Sequence, residues 1–358
     1  MDKTLLVQLL NAVTVSGNEE AGQEIALEFA KSFAQKQFTD AVGNAVSIVN
    51  PEADCRVLLC GHMDEIGFRV TYIKDDGMIQ VQKAGGVRPG LYVGSPMQII
   101  HEHTENGRVV REKVVGVVAV TDDLVKKSDV EASDLLIDIG ANTREEAAAL
   151  VSVGDSVCED STVRELLNGR ISSRALDDKS GAFVILEAAK KAAEQGASCG
   201  IYANTSVGEE TTGRGSYFSG TGTAPTCAII VDVTWVSDAP GGEPGKTGEI
   251  RLGGGPVLCM SGIVNKKMNA LLAQIAKEKN IPVQYEVAGG DTYTDGDVIL
   301  RTGAGVPVAL VSIPLRYMHS SVEIADWKDL EASVDLVAEF LLRIDAGLEF
   351  RPVVPERD

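Results

Sequence analysis

The chain has 358 residues, 44% hydrophobic and 24% charged, which is room for a large core and for two domains. Its formal charge of −19 excludes the basic face that nucleic acid or an anionic membrane requires, so neither is expected as a partner. No apolar run is long enough to span a bilayer, and the N-terminus lacks the apolar core of a secretory signal.

Apolar residues at helical spacing predict a helix over about 3–12 and a second in "EEAGQEIALEFAKSFA", after a turn at Ser16-Gly17-Asn18. Strands follow in "AVSIVN" and "RVLLCGHMDEIGFRVTYI"; the run "VLLC" has the continuous apolar character of a strand buried on both faces. From about 68 to 165, short alternating stretches broken by Gly, Asp and Asn predict a compact β-rich module. Inside it, "TREEAAALV" reads as a short helix with Thr143 as N-cap and Glu146 three residues on. After "ISSRALDDKSG" a helix is expected at "GAFVILEAAKKAAEQ", then strands at "GIYANTSVGEE" and "CAIIVDVTW" and a long loop over 236–256. A helix at "NKKMNALLAQIAKEKN", strands at "VQYEV" and "VPVALVSIP", and a final helix over 326–345 complete the chain. This rhythm predicts an α/β fold, a mixed and largely parallel sheet with helices on both faces, interrupted by the β-rich module.

The six cysteines show no CxxC spacing and mostly sit in apolar strand-like runs, which predicts reduced core residues in a cytoplasmic protein.

Several apolar strands stop at a side chain that can bind metal. "VLLCGHMD" ends in His62 and Asp64, "RALDDKSG" offers Asp177 and Asp178, "YANTSVGEE" ends in Glu209 and Glu210, "AIIVDVT" holds Asp232, and "VALVSIPLRYMH" ends in His319. A parallel sheet gathers such residues at the carboxyl ends of its strands, where ligands bind. Imidazole and carboxylate suit zinc and similar divalent ions. A pair of ions about 3.5–4 Å apart needs a bridging carboxylate, terminal ligands and a base. One allocation that works makes Asp177 the bridge, gives His62 and Asp232 to one ion and Glu210 and His319 to the other, and leaves Glu209 as general base. Asp64 would orient the His62 imidazole. Each residue has a plainer reading: a solvated glutamate pair, core histidines, or a helix N-terminal aspartate. Asp232 is the exception, because an unpaired carboxylate in "CAIIVDV" is costly to bury. His101 and His103, in "IIHEHTENG", are expected to be solvated surface residues.

The motifs "GHMDEIGF", "RALDDKSG", "VGEETTGRGS", "VDVTWVSDAPGG", "LGGGPVL" and "IPLRYMHSSVE" occur in the order and spacing of the glutamyl aminopeptidase-like metallopeptidases, which include the tetrahedral aminopeptidases. The chain resembles that family over essentially its whole length. The resemblance implies a zinc-exopeptidase-like catalytic domain over 1–67 and 169–358, with a PDZ-like β-barrel for dimerisation and assembly inserted at 68–168. It implies two divalent metal ions per subunit, zinc or cobalt, and hydrolysis of N-terminal residues from peptides through a metal-bridging water. It also implies self-association to a dimer and to a hollow tetrahedral dodecamer. By motif position, His62, Asp232, Glu210 and His319 correspond to metal ligands, Asp177 to the bridge, Glu209 to the general base and Asp64 to the supporting acid. Trp235 stands where the family often has histidine, and Lys179 where it has a different basic residue; neither position is a ligand. The "KPPH"-like stretch of many relatives is missing after "VVGVVAV", which bears on the module's surface.

Two other readings compete. In a dinuclear-metal carboxypeptidase or N-acyl amino-acid deacylase the lid domain generally follows the Glu-Glu pair, whereas here the β-rich module precedes Asp177. A non-catalytic scaffold or carbohydrate-binding relic would be expected to have lost a ligand or the base, and all are present. Segments 240–256 and 288–297 are expected either to line a pocket beside Arg316 and Tyr317 or simply to form turns. Arg316 would favour acidic N-terminal residues, or pair with a carboxylate such as Glu323.

Overall fold

The computed structural model of the chain describes residues 1–353. An eight-stranded mixed sheet runs in the order Lys36–Thr39, Ala45–Val49, Gly200–Ser206, Arg56–His62, Cys227–Trp235, Val308–Leu315, Val257–Met260, Gln284–Val287. Its four central strands, Gly200–Ser206 to Val308–Leu315, are parallel, and antiparallel pairings flank them on both sides. The apolar run of Arg56–His62 is explained by its place: Val57 and Leu59 face one core, Leu58 and Cys60 the other.

The two faces are covered unequally. Helices Lys3–Asn11, Leu176–Glu194, Lys266–Lys279 and Trp327–Arg343 bury the larger core against Val57, Ile229, Val231 and Val311. Each fully buried Leu or Phe there contributes about 1.5–3 kcal/mol. The second face is closed by a thinner cluster around Leu58, Ile230, Leu310 and Ile299. Alternation along the strands therefore turns Asp232, two residues after Ile230, towards the thinner side. Ser312 follows Leu310, and His62 follows Cys60, in the same way.

The β-rich module forms a closed six-stranded barrel, Gly67–Ile73, Ile79–Ala84, Leu136–Asp138, Arg108–Val118, Pro96–Glu105 and Ser156–Glu159, around Phe68, Val81, Ile99 and Ile137. Its helix at Arg144–Ala148 starts as expected, with the Thr143 hydroxyl accepting from Glu146 N at 3.2 Å. A three-stranded antiparallel sheet, Arg164–Leu166, Arg170–Ser173 and Glu323–Asp326, leads the chain back from the barrel. It pairs Ser173 with Glu323, which sets Glu323 beside the turn that carries Asp177.

Among the described residues, no helix is long and apolar enough to cross a membrane. All six cysteines are buried and free.

Candidate metal centre

His62, Asp177, Glu209, Glu210, Asp232 and His319 line one cavity of 1050 Å³ at the carboxyl ends of the parallel strands. Ligand atoms of His62, Asp177 and Asp232 lie within 4.8 Å of one another, and so do those of Asp177, Glu210 and His319. Asp177 belongs to both groups. Its Oδ1 is 3.2 Å from His62 Nε2, and its Oδ2 is 3.2 Å from His319 Nε2. Glu210 Oε1 is 3.3 Å from His319 Nε2, and Glu209 Oε2 is 3.8 Å from His62 Nε2.

The backbone beneath these side chains is tightly built. A Cβ on Gly61 would sit 2.7 Å from the Gly181 carbonyl carbon, and a Cβ on Gly181 would strike the Asp178 carboxylate. Two glycines thus let the strand Arg56–His62 approach the helix Leu176–Glu194. Asp178 then accepts from His62 N at 3.1 Å and from Gly181 N at 3.0 Å. Glu323 accepts from Asp177 N at 3.2 Å and from His319 N at 2.9 Å, tying bridge and histidine together. The barrel also reaches the centre: a Cβ on Gly86 would lie 2.9 Å from His319 Nδ1.

Asp64 touches both the His62 imidazole and the Glu209–Glu210 turn. His62 Nδ1 lies 3.0 Å from the Asp64 carbonyl oxygen, where it can only donate, and 3.6 Å from the carboxylate. The carboxylate also accepts the backbone N–H groups of Glu209 and Glu210 at 3.0 and 3.2 Å.

The charge balance calls for cations. Burial raises the carboxyl pKa values of Glu209, Asp232 and Glu210. Burial alone would also raise Asp177, but His319 and His62 outweigh it and hold it well below the usual carboxylate range. Asp177 and Glu210 in turn push His319 up to about 11. Burial opposes protonation of His62, but Asp177 and Asp64 prevail and raise it well above its ordinary value. The only nitrogen set against the buried Glu210 Oε1 among these contacts is His319 Nε2, at 3.3 Å. Nitrogen and oxygen ligands, excess buried negative charge and a carboxylate shared by two ligand groups all fit divalent metal.

Other expectations fare differently. His101 and His103 lie in the barrel, only partly exposed; their rings stack at 5.5 Å, and His101 Nδ1 is 2.9 Å from Asp155. Arg316 pairs with Asp238 at 3.0 Å and not with Glu323. Segment 288–297 does line the cavity, while 240–247 lines a neighbouring one with Arg316 and Tyr317. Asp295 and Glu286, both cavity-lining and buried, were not singled out from sequence. Asp295 opens a helix in "TYTDGD", and Glu286 interrupts "VQYEV"; a carboxylate at a buried strand position was the available signal.

A doubly covered α/β sheet, an inserted barrel and a buried carboxylate–imidazole cluster together define the tetrahedral aminopeptidase fold. The TET aminopeptidase of the marine sediment archaeon Thaumarchaeota archaeon SCGC AB-539-E09 matches with a TM-score of 0.87 at 30% identity, covering 96% of each chain. The Pyrococcus horikoshii TET1 peptidase, which can assemble into a tetrahedron or a large octahedral shell, matches at 0.82 and 29% identity, covering 95% of this chain and 99% of its own. The lysyl aminopeptidase of Pyrococcus furiosus is 31% identical over 359 residues, 98% of this chain and 100% of its own. The family model for M42 glutamyl aminopeptidase matches residues 43–336, and the chain belongs to that family. It is an aminopeptidase-class hydrolase acting on peptides.

Proposed function

We propose that the chain is a dinuclear metal-dependent aminopeptidase. The observation that carries this reading is Asp177, whose two carboxylate oxygens face two different imidazoles at 3.2 Å. His62 and Asp232 would hold one ion, Glu210 and His319 the other, with Asp177 between them. Bound there, two divalent cations, zinc or cobalt, would polarise the scissile carbonyl and lower the pKa of the attacking water. Glu209 takes the proton from that water and delivers it to the leaving amine as the C–N bond breaks. Burial favours this role by raising the proton affinity of Glu209. Asp64 sets the backbone of the Glu209–Glu210 turn, and so positions base and ligand together.

Residues 68–168 serve in this reading as an assembly module. The exposed Val109, Val115 and Val117 on one barrel strand support that role. Self-association to a dimer and on to a tetrahedral dodecamer belongs to this reading; the Pyrococcus horikoshii peptidase can assemble into a tetrahedron. Six buried, unbridged thiols support a reducing, cytoplasmic setting.

The test is a panel of aminoacyl-anilides with matched N-acetylated controls, with zinc, cobalt or manganese added. Cleavage confined to free-amine substrates and abolished by chelator is expected. Comparable release of the aniline from the blocked substrates would rule out the aminopeptidase reading, and release of acetate from them would favour a deacylase. The names of the family and of one relative, glutamyl and lysyl, point to opposite substrate charges. The choice between them falls to the chemistry of the cavity.

A further inference from the structure

The cavity beside the centre contains carboxylates and no lysine or arginine. Outside the metal cluster it is lined by Glu286, Asp291, Asp295 and Asp297. Asp291 pairs with Arg301 at 3.0 Å on the exposed rim, and Asp297 accepts the backbone N–H groups of Thr292 and Tyr293.

The two deeper carboxylates have only neutral partners. Glu286, 8% exposed, accepts from the hydroxyls of Thr234 at 2.5 Å and Ser312 at 2.9 Å. Thr234 lies two residues beyond Asp232, and Ser312 is the register partner of Asp232 on the next strand. All are turned to the same sheet face; the strand of Glu286 is the third from that of Asp232, and its side chain reaches back over Ser312 to Thr234, which lies two residues, about 7 Å, along the strand from Asp232. That separation suits a long extended side chain. Asp295, 2% exposed, uses one oxygen for Ser206 Oγ at 2.5 Å and Cys60 Sγ at 3.3 Å, and its Oδ1 has no donor. Arg316, the candidate cation for an acidic substrate, is held by Asp238 and lines the separate neighbouring cavity. An acidic side chain entering here would meet like charge without compensation; a basic one would supply the missing counter-charge.

We propose that this cavity is a specificity pocket for a basic N-terminal side chain, lysine or arginine, with Glu286 receiving the cation. The assignment rests on the aminopeptidase reading. It excludes glutamate and aspartate as preferred residues, whatever the family's name.

The test uses the metal-loaded protein in its native assembly, with Lys-, Arg-, Met- and Glu-anilides and N-acetyl-Lys-anilide. Lys and Arg should exceed Met in kcat/KM by about tenfold or more, and Glu should be the poorest. Raising ionic strength should shrink the Lys/Met ratio. Glu286→Gln should lower that ratio about tenfold, mainly through KM for the Lys substrate, and Glu286→Asp should restore part of it. Wild-type preference for Glu or Met, or a Lys/Met ratio unmoved by Glu286→Gln, would overturn the pocket assignment while leaving the aminopeptidase reading intact. Equal cleavage of N-acetyl-Lys-anilide would overturn the aminopeptidase reading itself. If the variants fail to fold, the wild-type ranking and its salt dependence still decide.

Discussion

The Asp64 carboxylate accepts the backbone N–H of Glu209 on one oxygen and that of Glu210 on the other, at 3.0 and 3.2 Å. Two adjacent glutamates are thereby held by a third carboxylate that touches neither side chain. An amide at position 64 can accept only one of these bonds and turns a donor towards the other N–H. Asp64→Asn should therefore lower kcat about 10–100-fold and loosen metal to a similar extent. Steady-state kinetics with metal titration would check this; an unchanged kcat would remove Asp64 from the positioning role.

Metal loading should release protons. The carboxylate cluster raises the pKa of His319 from 6.5 to about 11 and that of His62 well above its ordinary value. In the metal-free protein the His319 contribution to stability is full below about 6.5 and is lost as pH rises through about 11. Metal needs the neutral imidazoles, so at pH 7–8 it must displace these protons. Calorimetric titration in two buffers of different ionisation enthalpy should show net release, with affinity falling as pH falls. A pH-independent affinity would contradict this.

Much of the centre was legible because strand ends announce themselves. Apolar runs that stop at His62, Glu209, Glu210, Asp232 and His319 make sense once the strands are parallel, and the structure brings these residues together with Asp177. What stayed hidden depends on tertiary contact. The helix Arg214–Thr223 carries three glycines and reads as a loop from propensity. Its glycines are contact points: a Cβ on Gly215 would collide with Val207 backbone, and one on Gly220 with Thr302, so only glycine lets the helix pack this closely. Asp64 stands at a strand end and is visible in the sequence, but its contact to the Glu209 backbone joins residues 145 positions apart and has no local signature. The pairing of Arg316 with Asp238 is equally non-local, spanning 78 positions.

A buried ion network should govern acid stability. Glu65 pairs with Arg174 and with Lys179 Nζ at 2.9 Å, and accepts from Thr14 N at 2.9 Å. Burial pushes its carboxyl up, but Arg174 and Lys179 outweigh burial and bring it down to about 2. This stabilisation is complete above about 4.5 and is lost as pH falls through about 2. Glu65→Gln leaves two buried cations short of a counter-charge and should cost about 3–5 kcal/mol at pH 7. Denaturant unfolding at pH 7 and at pH 3 should show the gap between variant and wild type narrowing in acid. An equal gap at both values would contradict the network's role.

The barrel touches the centre through a glycine. With a Cβ on Gly86 2.9 Å from His319 Nδ1, Gly86→Ala should displace the imidazole and weaken metal at that side about tenfold. Competition with a chromophoric chelator measures it, with the circular dichroism spectrum as the control for folding. Unaltered affinity would show that His319 can give way.

Glu209→Gln tests the account most directly, read by metal content and turnover on the same sample. The amide keeps the shape of the side chain but cannot take the water's proton. Two divalent ions should still be bound per subunit, with kcat lowered by about 10²–10⁴. Loss of an ion from the variant, or turnover near that of the wild type, would contradict it.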